Sequence, residues 1–193
     1  MKDPYSKEPY KLSEDTVDLL RAIGGGNDSA FRKFVGLWEK PLLAFFYRQT
    51  GDFHESQDLA QNVFRRVYRS ASGFRGDGGS GRGWVFCLAR RVLLNHWRTR
   101  KRKGLALPGD EFLQEMSSDF SEPRPVGEEE ELFRKCLLLL PEKQRTVLLL
   151  RVREEMDYES MAEVLEESLA NTKVLLHRAR RKLRELYAKE VQR

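Results

Sequence analysis

Asn171, Thr172 and Lys173 stand together at the head of a predicted helix, and Arg178, Arg180, Arg181, Lys182 and Arg184 follow within its next turns. Amide, hydroxyl and ammonium groups at a helix start reach base edges or phosphates. A cationic stretch behind them neutralises backbone phosphates and releases their counterions. These residue types suggest nucleic-acid binding. They do not suggest catalysis. His54, His96 and His177 are scattered and share no metal-ligand spacing with acids or cysteines. The glycine-rich stretch 73–83 lacks the Gly-Lys-Ser/Thr ending of a phosphate-binding loop, and no strand precedes it. No catalytic residue, metal or cofactor is expected.

The charge is unevenly spread. The 193 residues carry a net charge of +5, with 34% charged and 40% hydrophobic residues, a balance that fits a core-forming chain. From Arg82 to Lys103 there are eight Lys/Arg and no acid. From Gly109 to Glu131 there are nine Asp/Glu and one Arg. From Lys173 to Arg184 there are six Lys/Arg and no acid. The order is basic, acidic, basic, which suggests two cationic binding modules around an anionic tether.

Targeting signals are not visible. Met1 to Lys11 is polar, and the longest apolar runs, such as Leu137–Leu140 and Val147–Leu150, fall far short of the ~20 residues that span a bilayer. The expectation is a cytoplasmic protein without membrane insertion. Cys87 and Cys136 have no CxxC partner and are expected to be buried, reduced thiols.

Helical periodicity positions these groups. Val17, Leu20 and Ile23 give a first helix, closed by Gly24-Gly25-Gly26. A second starts near Ser29 with Phe31, Phe34, Val35 and Trp38, and Pro41 is expected to kink or restart it. A third, about Glu55 to Ser70, carries the stripe Leu59, Val63, Val67 and an adjacent row Ala60, Phe64, Tyr68. Residues 73–83 hold six glycines and are expected to be an exposed loop. A helix follows from Trp84 to about Arg100. After the candidate linker come helices at about Glu128–Leu140, from Pro141 with Val147, Leu148 and Val152 facing the core, at about Asp157–Leu165 and at about Leu169–Val191. The last two, joined by Glu166-Glu167-Ser168 with Ala162 at the crossing, have the layout of a helix-turn-helix. The expected fold class is all-α. The expected division is a helical domain over 1–103, a flexible acidic linker over 104–127 and a second helical domain over 128–193.

Two stretches also carry a family pattern. Leu140-Pro141-Glu142-Lys143-Gln144-Arg145, then Tyr158-Glu159-Ser160-Met161-Ala162-Glu163-Val164-Leu165 and Asn171-Thr172-Lys173-Val174-Leu175-Leu176-His177-Arg178-Ala179-Arg180, resemble region 4 of the extracytoplasmic-function family of RNA polymerase sigma factors. Independently, Asp58-Leu59-Ala60-Gln61-Asn62-Val63-Phe64-Arg65 resembles that family's region 2.2. Phe74-Arg75-Gly76-Asp77 and Trp84-Val85-Phe86-Cys87-Leu88-Ala89-Arg90-Arg91 resemble its regions 2.3 and 2.4.

The resemblance implies a subunit that directs core RNA polymerase to promoters. Asp58, Gln61, Asn62 and Arg65 would dock on the clamp of the largest polymerase subunit, and the flap would be a second polymerase contact. Phe74, Arg75, Arg82, Trp84, Arg90, Arg91, Asn95 and Arg98 would open and hold the −10 element, the aromatics stacking on unpaired bases within a cationic groove. Asn171, Thr172, Lys173, His177, Arg178, Arg180 and Arg181 would bind the −35 element. An anti-sigma factor would be a further partner. The acidic linker would run through the polymerase's nucleic-acid channels, where Glu111, Glu115 and Asp119 would affect promoter escape.

The sequence departs from the pattern at Glu166, where glycine is usual, at Glu167, and at Val174 and Leu175, which replace a polar pair. A stand-alone helix-turn-helix regulator is the main rival, and it lacks the region 2 motif. A helical interaction protein without nucleic acid does not explain two basic clusters.

Overall fold

The structure is a computed structural model and describes residues 14–76, 81–105 and 127–191. Its regular elements are helical throughout: α1 (Glu14–Gly24), α2 (Asp28–Thr50), α3 (Phe53–Ser70), a single 3-10 turn (Ala71–Gly73), α4 (Gly81–Arg102), α5 (Glu128–Leu138), α6 (Glu142–Val152), α7 (Tyr158–Leu165) and α8 (Leu169–Val191). The linker carboxylates Glu111, Glu115 and Asp119 lie outside the described residues. No helix among those described is long and apolar enough to cross a membrane.

Local chemistry sets the helix ends. The Asn27 side chain accepts from Ala30 N at 3.0 Å and starts α2. Asp52 does the same for Glu55 N at 2.9 Å and starts α3. Between them Gly51 sits at φ 77°, a left-handed cap whose N–H reaches Tyr47 O. Pro41 does not break α2, which runs through it to Thr50. The proline removes one N–H from the helix ladder, but its ring is buried beside Trp38 and Leu42, and that burial offsets the loss.

Aromatic rings form the first core. Phe34 stacks on Trp38 at 5.8 Å, and Phe86 of α4 meets Trp38 at 5.6 Å and Phe45 at 5.3 Å, edge to face. The Trp38 indole N–H donates to Thr16 Oγ1 at 3.3 Å, tying α1 to this centre. Leu59, Val63 and Val67 of α3 are buried as their spacing predicts. Tyr68 is not: it is 52% exposed and donates to Asp28 Oδ1. A four-residue step advances about 40° past a full helical turn, so the row Ala60, Phe64, Tyr68 drifts out of the core.

Gly81 and Gly83 correct the loop expectation. Both are buried in the first turn of α4. A Cβ at Gly81 would lie 3.1 Å from Thr16 Cγ2 and from Val17 Cγ2 and N. Close packing of α4 on α1 selects glycine here over a better helix former.

The second set of helices packs Met161, Val164 and Leu165 of α7 against Leu176 and Ala179 of α8, with Val147–Leu150 of α6 beneath. Val152, expected in that core, is 57% exposed at the end of α6. The two sets touch: α4 lies on α7, and α2 lies on α5 and α6. Cys136 is buried and Cys87 half-buried, and burial pushes both thiols up, so they stay protonated and weakly nucleophilic.

Glu55 links α3 to the end of α4. Its Oε2 lies 3.2 Å from His96 Nε2, and Arg100 holds its other oxygen. The His96 hydrogen bond, aided by Arg100, keeps the carboxyl below its usual range against the opposing effect of burial. A depressed carboxylate stabilises the fold above its unfolded pKa, near 4.3, and loses that contribution as pH falls through the folded value. The melting temperature of the native chain is therefore expected to fall more steeply below about pH 4.3 than that of Glu55→Gln. Calorimetry across an acid series measures it.

Candidate nucleic-acid interface

The turn between α7 and α8 is built from charged residues. Asp157 caps α7 by accepting from Ser160 N at 2.7 Å. Glu166 ends it at φ 55°, ψ 46°. Ser168 then starts α8, its Oγ accepting from Asn171 N at 3.2 Å. The left-handed conformation costs a non-glycine residue about 1 kcal/mol. The ion pair of Glu166 with Arg91, their side chains 62% and 61% exposed, returns little. Glu166→Gly is therefore expected to raise the melting temperature by about 2–4 °C, read by circular dichroism. A fall would show that the pair outweighs the strain.

Beyond that turn, α8 holds Asn171, Lys173, His177, Arg178, Arg180 and Arg181 exposed. Thr172 departs from the expectation. It is fully buried and donates to Ser168 O at 3.0 Å, so it fastens the turn instead of facing a ligand. Lys173 Nζ lies 5.4 Å from the Tyr158 ring centre, and Arg151 packs over the same ring at 5.3 Å. Asn171 Nδ2 donates to Glu167 Oε2 at 2.6 Å, and Glu167 also pairs with Lys143. Sequence reasoning did not find Tyr158, Lys143 or Glu167 as supports, because each acts on the helix from another element or turn.

On the first set, Asp58, Gln61, Asn62 and Arg65 lie exposed on one face of α3, opposite its buried stripe, with Arg65 Nη2 donating to Gln61 Oε1 at 3.3 Å. Phe74 and Trp84 are half-buried, their rings edge to face at 5.4 Å. Arg75, Asn95 and Arg98 are exposed.

Three expected DNA-binding arginines instead meet carboxylates of the second set. Arg82 Nη2 donates to Glu154 Oε2 at 2.8 Å. Arg91 Nη2 reaches Glu166 Oε1 at 3.4 Å. Arg90 is only 4% exposed; its Nε donates to Glu142 Oε1 at 3.2 Å and its Nη1 to Val164 O at 3.3 Å. In this closed arrangement Arg90 cannot touch a ligand, since α7 covers it. Burial pushes the Glu154 carboxyl up despite the hydrogen bond from Arg82, so its ionised form is held there at a cost.

A chain of hydrogen bonds crosses the same boundary. Arg145, 3% exposed, donates from Nη1 to Leu138 O and from Nε to Gln49 Oε1, each at 2.9 Å. Gln49 Nε2 donates to Thr146 Oγ1 at 2.8 Å, and Thr146 donates to Glu142 Oε1 at 3.1 Å. Burial lowers the Arg145 pKa to about 10, which leaves it charged at neutral pH. Elsewhere on the second set, an open apolar groove of about 470 Å³ runs between α5, α6 and α8, lined by Phe133, Leu137, Leu148, Val152 and Leu183. Among the described residues no cluster of His, Cys, Asp or Glu is placed to hold a metal ion.

Comparison with known proteins agrees with this geometry. The model for Sigma-70 region 2 matches residues 34–103, and that for Sigma-70, region 4 matches residues 130–183. The chain is 32% identical over 147 residues to RNA polymerase sigma factor YlaC of Bacillus subtilis (strain 168), covering 74% of this chain and 83% of that one. It is 26% identical over 176 residues to ECF RNA polymerase sigma factor SigW of the same strain, covering 86% and 92%. Among solved structures, sigma factor RpoE in complex with the anti-sigma factor NepR from Bartonella quintana shares the fold with a TM-score of 0.65 at 24% identity, covering 81% of this chain and 95% of that one. CnrH in complex with the cytosolic domain of CnrY does so with a TM-score of 0.67 at 21% identity, covering 91% and 99%. With its described elements all helical, an exposed α3 face and a helix-turn-helix of outward cations, and matched in both halves, the chain belongs to the extracytoplasmic-function family of RNA polymerase sigma factors.

Proposed function

We propose that the chain acts by binding, not by catalysis: it docks on core RNA polymerase through Asp58, Gln61, Asn62 and Arg65, then grips promoter DNA with both helical domains. The outward cationic face of α8 behind a helix-turn-helix is the observation that carries this reading. Asn171, Lys173, His177, Arg178, Arg180 and Arg181 bind the −35 duplex. Arg75, Asn95 and Arg98, with Phe74 and Trp84, hold the −10 strand, joined by Arg82, Arg90 and Arg91 once the domains part. Glu142, Glu154 and Glu166 occupy those three arginines as phosphates would, so the closed arrangement is a state that precedes promoter binding.

The division into 1–103, a linker over 104–127 and 128–193 suits this separation. The apolar groove beside α8 fits an apolar segment of the polymerase flap. The neighbour solved with the anti-sigma factor NepR supports an anti-sigma partner for this chain too. All of these partners place its work in the cytoplasm.

Redistributing the charge of the α3 face, Asp58→Lys with Asn62→Glu, is expected to weaken binding to core polymerase by at least tenfold, about 1.4 kcal/mol. Both positions are exposed, so the melting temperature should stay within about 2 °C of native. Fluorescence anisotropy with labelled chain measures the affinity, and undiminished binding would remove α3 from the interface.

A further inference from the structure

An apolar side chain sits in the middle of the outer face of α8. Val174 is 43% exposed, while Thr172, Leu176 and Ala179 are buried on the opposite side. At about 100° per residue, Asn171, Val174, Arg178 and Arg181 follow one another along the outward face, with Lys173 and His177 on its flank. A lone exposed valine is ordinary on a protein surface. This one has the exposed cations Lys173 and Arg178 beside it, a charge pattern that suits a polyanion.

One turn earlier, the Asn171 amide is held. Its Nδ2 donates to Glu167 Oε2 at 2.6 Å, and Lys143 fixes the same carboxylate. Hydrogen bonds from Lys143 and then Asn171 keep that carboxyl below its usual range, so it is ionised and only accepts. The amide nitrogen must therefore face Glu167. Asn171 keeps its Oδ1 acceptor and one N–H donor for a ligand. That pair matches adenine N6 and N7 on the major-groove edge, where the thymine C5 methyl is the apolar feature. Cβ atoms three residues apart on a helix lie about 5–6 Å from each other, which spans one to two base steps of about 3.4 Å.

We propose that α8 reads an adenine with Asn171 and a neighbouring thymine methyl with Val174, and that Glu167, through its hold on Asn171, is a positioning residue for base choice. The inference rests on α8 being the −35 reader. It turns two departures from the family pattern, Glu167 and Val174, into the source of this chain's own specificity.

The test uses the assembled holoenzyme. A −35 element is first selected from a randomised duplex library. Each thymine is then replaced in turn by deoxyuracil, which removes only the methyl, and each adenine by 7-deazaadenine, which removes only N7. One deoxyuracil position is expected to weaken native binding about fourfold, the worth of one buried methyl. The same replacement should matter less than twofold to Val174→Ala. A 7-deazaadenine within two base pairs should weaken native binding by about fivefold or more. That sensitivity should vanish in Glu167→Ala and return in part in Glu167→Gln, whose amide oxygen still accepts.

A selected element indifferent to every deoxyuracil and 7-deazaadenine replacement overturns the inference while leaving α8 as the −35 reader. Failure to select any −35 element overturns the parent reading, and this inference with it.

Discussion

Arg145→Met is expected to destabilise the chain by about 3 kcal/mol or more and to lower its melting temperature by about 6–12 °C. The guanidinium is almost fully buried and satisfies two acceptors from different helices, Gln49 Oε1 and Leu138 O. Methionine fills much of the volume but donates nothing. Each buried acceptor left without a partner costs about 1–3 kcal/mol. Gln49 also supports Thr146, which supports Glu142, so the damage spreads to the Arg90 pair. Gln49→Leu in the same background should cost less than it does alone, because one of the orphaned acceptors is gone. A thermal-melt cycle of the two single variants and the double variant measures this coupling. Additive losses would show that the two side chains act separately.

Phe86→Ala is expected to cost about 3–5 kcal/mol. The ring is fully buried and touches both Trp38 and Phe45, so its removal leaves a cavity at the junction of α2 and α4. Val152→Ala, on a half-exposed side chain, should stay within about 0.5 kcal/mol. Urea unfolding of both variants checks the contrast. A small loss at Phe86 would mean that the aromatic cluster closes over the gap.

The order of helices and the exposed cations of α8 were legible because both follow from local pattern. Leu59, Val63 and Val67 spell out the core side of α3, and the six cations from Lys173 to Arg184 spell out the outer side of α8. What escaped depended on contacts that only the folded turns and packed helices create. Arg90 looks like any member of a cationic helix until α7 and Glu142, 52 residues away, cover it. Thr172 has the right chemistry for a base contact, but its place in the helical turn points it inward to Ser168 O. Gly81 and Gly83 read as loop because their propensity opposes helix, and at Gly81 the contact with α1 reverses that. Glu167 was visible as an oddity, while its link to Lys143 and Asn171 required the folded turn.

In the closed arrangement Arg82, Arg90 and Arg91 are all engaged by carboxylates of the second set. The boundary between the two sets combines these hydrogen bonds and ion pairs with a buried apolar core that runs through both.

Run-off transcription from a promoter library, comparing the chain alone, core polymerase alone and the two combined, tests the central claim most directly. Promoter-specific transcripts are expected only from the combination, and the purified chain should show no sequence-selective grip on the same fragments. Tight, specific binding of an operator by the chain alone, or no promoter-specific product when core polymerase is present, would contradict it.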